Sequence, residues 1–153
     1  MESGTSAALP IPETETDLRI VKLQSFLRRY NSPFAAYAGE FVSNADKYGL
    51  EDWTLVPAIT GVESTFGKSI PADSYNAYGW ANGNFAFNNW PESIAVVTKT
   101  LKEKYIDRDL KTVDQIAAVY APPSQTWAGK VNYFKNLIND YYIRNSSELS
   151  ITL

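Results

Sequence analysis

A chain of 153 residues with 44% hydrophobic, 20% charged and 14% aromatic positions is long enough for one domain with a sizeable core and too short for two. Its net charge of −3 leaves no basic footprint for nucleic acid and no polybasic segment for an anionic membrane, and no run is long enough to cross one. The absence of both His and Cys excludes imidazole and thiolate catalysis, metal sites built on either ligand, and disulfides, which leaves carboxylate, Lys, Tyr and hydroxyl chemistry.

Residues 1 to 15 are rich in Ser, Thr, Pro and Glu and read as a disordered leader without the basic start and apolar block of a signal peptide. Thr16 or Asp17 caps a first helix to about Tyr30, with Leu18, Val21 and Phe26 inward. Ser32-Pro33 restarts the helical pattern, which runs through Phe34, Ala38, Phe41, Ala45 and Tyr48 to a stop at Gly49. Asp52 then caps a third helix, with Pro57 close to its first turn. From Lys68 to Trp90 the chain is an Asn-, Gly- and aromatic-rich segment in which Phe85 and Phe87 alternate with other residues, allowing one short strand or hairpin. A helix from Pro91 carries Ile94, Val97, Leu101 and Tyr105 inward. Thr112-x-x-Gln115 is a capping box for a short helix through Ala118. Tyr120-Ala-Pro-Pro-Ser124 breaks the pattern, and a last helix from about Thr126 turns Val131, Phe134, Ile138 and Tyr141 inward before a polar tail over 146 to 153. The expected fold is mainly α, with a small irregular or β-hairpin insert, as one domain over residues 16 to 145.

The third helix contains the residue that folding does not require. Val56, Ile59, Glu63 and Phe66 recur at helical spacing, so a carboxylate interrupts an apolar face. A carboxyl group drawn out of water resists ionising, which is what a general acid needs. The alternative is a Glu at a frayed helix end, turned back to solvent. The Asn- and aromatic-rich segment that follows suits a sugar, and ten Tyr and four Trp supply ring faces for one. In a glycosidase a second carboxylate either activates water or attacks the sugar, depending on its separation from the first. Asp73 is the only acidic residue between Glu63 and Trp90, and the competing role for it is to shape a turn before Ser74.

Gly61-Val-Glu-Ser-Thr-Phe-Gly-Lys68, Asn76-Ala-Tyr-Gly-Trp80, Ile116-Ala-Ala-Val-Tyr-Ala121 and Trp127-Ala-Gly-Lys-Val131 follow one another at plausible spacing. Together they resemble the ordered motifs of the glucosaminidase family of peptidoglycan hydrolases, in the lysozyme-like superfamily that also holds the lytic transglycosylases. The likeness runs from about Tyr48 to Ile138. It implies a lysozyme-like helical domain with Glu63 as catalytic acid, Tyr120 as a nearby active-site hydroxyl, and Ser64, Asn76, Tyr78 and Gly79 on the substrate side. Trp80 and Trp127 are implied to contact sugar or shape the cleft. The transglycosylase Gly-Leu-Met-Gln signature is missing, since Trp-Ala-Asn follows Gly79.

The expectation is a monomeric glycoside hydrolase that cleaves β-1,4 bonds of peptidoglycan or a related N-acetyl amino-sugar polymer. It needs no metal or organic cofactor, and binds no nucleic acid. A glycan of this kind implies work outside the cytoplasm, with any export signal cut away from this sequence. The competing expectations are a non-catalytic glycan-binding or scaffold module, a lytic transglycosylase that leaves anhydro-sugar ends, and, further off, a phage-type lysin or a helical interaction domain.

Overall fold

The computed structural model describes residues 15–143, so the leader up to residue 14 and the tail over 146 to 153 lie outside the described residues. Asp17 opens α1 (Leu18–Arg29) by accepting the Arg19 amide at 3.0 Å. The Arg19 guanidinium closes back on Asp17 and reaches Asp46 at 2.8 Å, which ties α1 to the next helix. Val21, Leu23, Phe26 and Leu27 are buried as the pattern requires. Leu18, expected inward, is 61% exposed because it stands at the first helical position, on the rim where no neighbour covers it.

Ser32 caps the restart, but the helix expected there divides into a 3-10 turn (Pro33–Tyr37) and α2 (Ala38–Tyr48). Gly49 ends it in the left-handed conformation at φ 73°. Asp52 does not cap the third helix itself. It accepts the Thr54 amide and hydroxyl at 3.1 and 2.5 Å and so fixes the turn before α3 (Leu55–Ser64), in which Pro57 is the third residue.

α3 is buried from Leu55 to Gly61, with α6 (Trp127–Asn139) packed along it. Its end explains the Gly61 to Phe66 spacing. The chain leaves the helix at Thr65 and Phe66, both left-handed, with φ of 51° and 57°, and Gly67 only continues the turn. Such a conformation costs an ordinary residue about 1–2 kcal/mol. Full burial of Phe66, worth roughly 1.5–3 kcal/mol, offsets much of it. The Phe66 ring folds back against Phe26, Tyr30 and Phe134, and a Cβ on Gly61 would meet it at 2.6 Å. Glu63 is thereby held in the last turn of α3.

α4 (Trp90–Lys104) starts at Asn89, whose side chain accepts the Glu92 amide at 2.8 Å, and buries Ile94, Val97 and Leu101 against α2. The Thr112–Gln115 capping box forms as expected, and α5 (Val113–Tyr120) runs two residues past Ala118. The described residues are mainly α, and none of the segment between α3 and α4 is strand: the allowed hairpin is replaced by an irregular wall with a 3-10 turn at Trp80–Gly83.

Tyr78 carries that wall into the core. It is fully buried, with its hydroxyl 2.8 Å from Ser93 Oγ, and burial pushes its pKa well above the usual 10.0. The folded state keeps this proton at a pH where unfolded tyrosine has lost it. The resulting stability is complete below about pH 10 and falls as pH rises above it. Urea midpoints should therefore hold level up to about pH 9 and decline above 10, with a shallower decline in Tyr78→Phe.

Candidate active site

Three elements meet at the end of α3. Glu63 is partly exposed, and its Oε1 accepts the Trp127 indole N–H at 2.6 Å from the first residue of α6. On its other side lies Gly79, left-handed at φ 72°, where a Cβ would stand 2.9 Å from the Glu63 carboxyl carbon and closer still to Oε2. Glycine is needed there twice over, for the backbone angle and for the approach. One carboxylate oxygen is thus fixed by an indole and the other lies against bare backbone.

Tyr120, the last residue of α5, stacks on Trp127 with centroids 5.0 Å apart and planes at 26°. Its hydroxyl donates to the Tyr78 carbonyl at 2.6 Å. Burial first, and then the Glu63 charge, push its pKa well above 10.0. The hydroxyl therefore stays protonated, and its proton serves to join α5 to the wall.

Comparisons with protein-family models, with curated proteins and with solved structures found no match. The likeness to the glucosaminidase family rests on the motif residues alone.

Ser64, Asn76 and Tyr78, expected on the substrate side, are each buried with their polar atoms engaged inside the protein. Ser64 Oγ lies between the Thr60 and Ala77 carbonyls at 3.0 and 2.9 Å and accepts the Gly67 amide at 2.9 Å. The Asn76 amide donates to the Trp80 and Phe85 carbonyls at 2.8 and 3.0 Å, while its oxygen accepts from the Trp80 and Tyr78 amides at 3.2 and 3.4 Å. Trp127 is 3% exposed, so it shapes the cleft through Glu63 and offers no face to a sugar. Asp73 is exposed at the third position of a Pro71–Ser74 turn, with φ 55°, and makes no hydrogen bond to Glu63 or Tyr120. Its position and backbone angle are those of a turn residue.

Gly79 and Tyr120 also belong to the wall of an open groove of about 460 Å³, completed by Trp80, Ala81, Asn82, Phe85, Thr100, Leu101 and Tyr105. Trp80 was expected in such a place. Tyr105 was read as core and Phe85 as part of a strand, while Asn82 and Thr100 carry no signal in sequence beyond being polar. A larger cavity of about 610 Å³ lies at the opposite end of α3, beside Leu55, and its lysines Lys102, Lys111 and Lys135 are each paired with an aspartate. No three carboxylates among the described residues converge to hold a metal ion, and no described helix is long and apolar enough to cross a membrane.

Proposed function

We propose that the chain is a glycoside hydrolase of lysozyme-like architecture, cleaving β-1,4 bonds in peptidoglycan or a related N-acetyl amino-sugar polymer outside the cytoplasm, as a monomer. The observation that carries this reading is the Glu63 carboxyl group, fixed by Trp127 on one oxygen and lying against Gly79 beside an aromatic groove. A carboxyl group in such a position delivers its proton to the glycosidic oxygen as the bond to C1 breaks. The leaving sugar departs as an alcohol. Tyr120 keeps the wall against α5 while this happens, through its bond to the Tyr78 carbonyl.

The reading gives the second step to the substrate, with Asp73 as the competing activator of water: the acetamido oxygen closes on C1, and water, losing its proton to the Glu63 carboxylate, reopens the ring. The same Glu63 supports a second reading, in which the substrate's own hydroxyl closes on C1, its proton passing to the Glu63 carboxylate, and leaves an anhydro-sugar end. Digestion of purified cell-wall glycan, with products read by mass, tests both. Hydrolysis gives reducing ends, and ring closure gives ends lighter by one water. A digest with no new ends would overturn both readings and leave a binding module.

Trp127→Phe should keep the stacked ring and lose the donor to Glu63. A carboxyl group free to swing spends less time on the glycosidic oxygen, so turnover should fall about tenfold with little change in KM. Steady-state kinetics on a soluble glycan fragment reads this split. An unchanged kcat would mean that the indole does not position the acid.

A further inference from the structure

The groove beside Glu63 is built without charge. Trp80, Phe85 and Tyr105 contribute rings, Asn82 and Thr100 contribute an amide and a hydroxyl, and no Lys, Arg, Asp or Glu is in its wall. Burial pushes the Tyr105 and Tyr120 hydroxyls up in pKa, so both stay neutral over the physiological range. The rings lie in sequence away from the acid: Trp127 holds Glu63, Tyr120 is 5.0 Å from Trp127, and Tyr105 is 6.1 Å from Tyr120. Across the groove Trp80 and Phe85 pack edge to face at 5.7 Å. The stretch of groove wall between them is a left-handed turn in which Ala81 and Asn82 have φ of 51° and 52°, and both residues are exposed.

Such a surface suits one kind of sugar strand. Pyranose rings present C–H faces that pack on aromatic rings, and acetamido and hydroxyl groups find partners in Asn82 and Thr100. A strand that carries peptide stems brings carboxylates as well. Those would lose water in a groove with no cation to receive them, beside a carboxyl group at its inner end. Lys99 and Lys104 neighbour Thr100 and Tyr105 on α4 but are exposed outside the wall, and Lys102, Lys111 and Lys135 stand at the far end of α3, each paired with an aspartate.

We infer that this groove takes an uncharged run of N-acetylated amino sugars, free of peptide stems, in preference to the stem-bearing strand. The inference rests on the reading of Glu63 as the acid of a glycosidase and narrows its substrate.

The test is a binding comparison on the full chain carrying Glu63→Gln, so that the ligand is not consumed. The probes are N-acetylchitotetraose and a stem-bearing tetrasaccharide of the same backbone length, titrated by calorimetry at low and high salt. The neutral tetrasaccharide should bind about tenfold tighter, with an affinity that salt changes by less than about twofold. Trp80→Ala should weaken it about tenfold. Thr100→Lys, a helix-compatible surface change that keeps the fold, should raise affinity for the stem-bearing strand about fivefold at low salt and narrow the preference. Equal or tighter binding of the stem-bearing strand overturns the inference, as does a preference that Thr100→Lys leaves unmoved. If the unsubstituted chain cleaves neither polymer while the preference holds, the glycosidase reading fails and the selectivity of the groove stands.

Discussion

Glu63→Gln is expected to remove glycan cleavage and leave the melting temperature unchanged. Gln has the shape of Glu, and its carbonyl oxygen still accepts the Trp127 indole N–H that Glu63 Oε1 accepts at 2.6 Å. The amide cannot give a proton to a glycosidic oxygen. General acid catalysis alone is worth about 10²- to 10⁴-fold. Where the same carboxyl group later serves as base, its loss removes both steps. Product formation from cell-wall glycan, followed beside a thermal melt, separates the chemistry from the fold. Wild-type turnover in this variant would remove Glu63 from the mechanism.

Gly79→Ala should damage both. The backbone angle at Gly79, φ 72°, is one that alanine adopts at a cost of about 1–2 kcal/mol. The second effect is local to the site. A methyl group at Gly79 would stand 2.9 Å from the Glu63 carboxyl carbon, and the flexible end of Glu63 is the group that must move. Moving it strains the Trp127 hydrogen bond and shifts the acid from its place. A displacement of about 1 Å at a reacting group costs up to about 10²-fold. The expected pair of results is a modest fall in urea midpoint and a fall in kcat far larger than that midpoint explains. A variant destabilised by the expected amount but with full kcat would show that the closeness of Gly79 and Glu63 has no catalytic consequence.

The helices were legible because their signals are local. Asp17, the Thr112–Gln115 box and the buried stripes at Phe34, Phe41, Ile94, Val97 and Leu101 each follow from spacing and capping chemistry alone. Leu18 was misplaced because periodicity fixes a direction around a helix and says nothing of whether a neighbour reaches that far along it. The wall between α3 and α4 was legible only as a composition. Its shape depends on Asn76, whose four side-chain hydrogen bonds reach up to nine residues along the chain and have no periodic signature. Glu63 stood out as a carboxylate on an apolar face, but its contact with Trp127 spans 64 residues, a distance that no local pattern reveals. Ser64, Asn76 and Tyr78 look like ligand contacts in a motif because a residue that builds a site and one that touches its ligand leave the same trace in sequence.

The wiring of Asn76 has a consequence for the speed and selectivity of recognition. With Ser64 bound to the Ala77 carbonyl, the Phe87 amide to the Ser74 carbonyl at 2.8 Å and Tyr120 to the Tyr78 carbonyl, the wall is braced at both edges and through its middle. A wall held in this way would meet a ligand already ordered. Ordering entropy that a floppy loop would surrender to each arriving strand has been surrendered once, during folding. On the proposed reading, discrimination would then fall on the strand: a glycan whose rings already lie along the Trp80 to Tyr105 track would be captured on contact, and one that must bend to reach Glu63 would diffuse away.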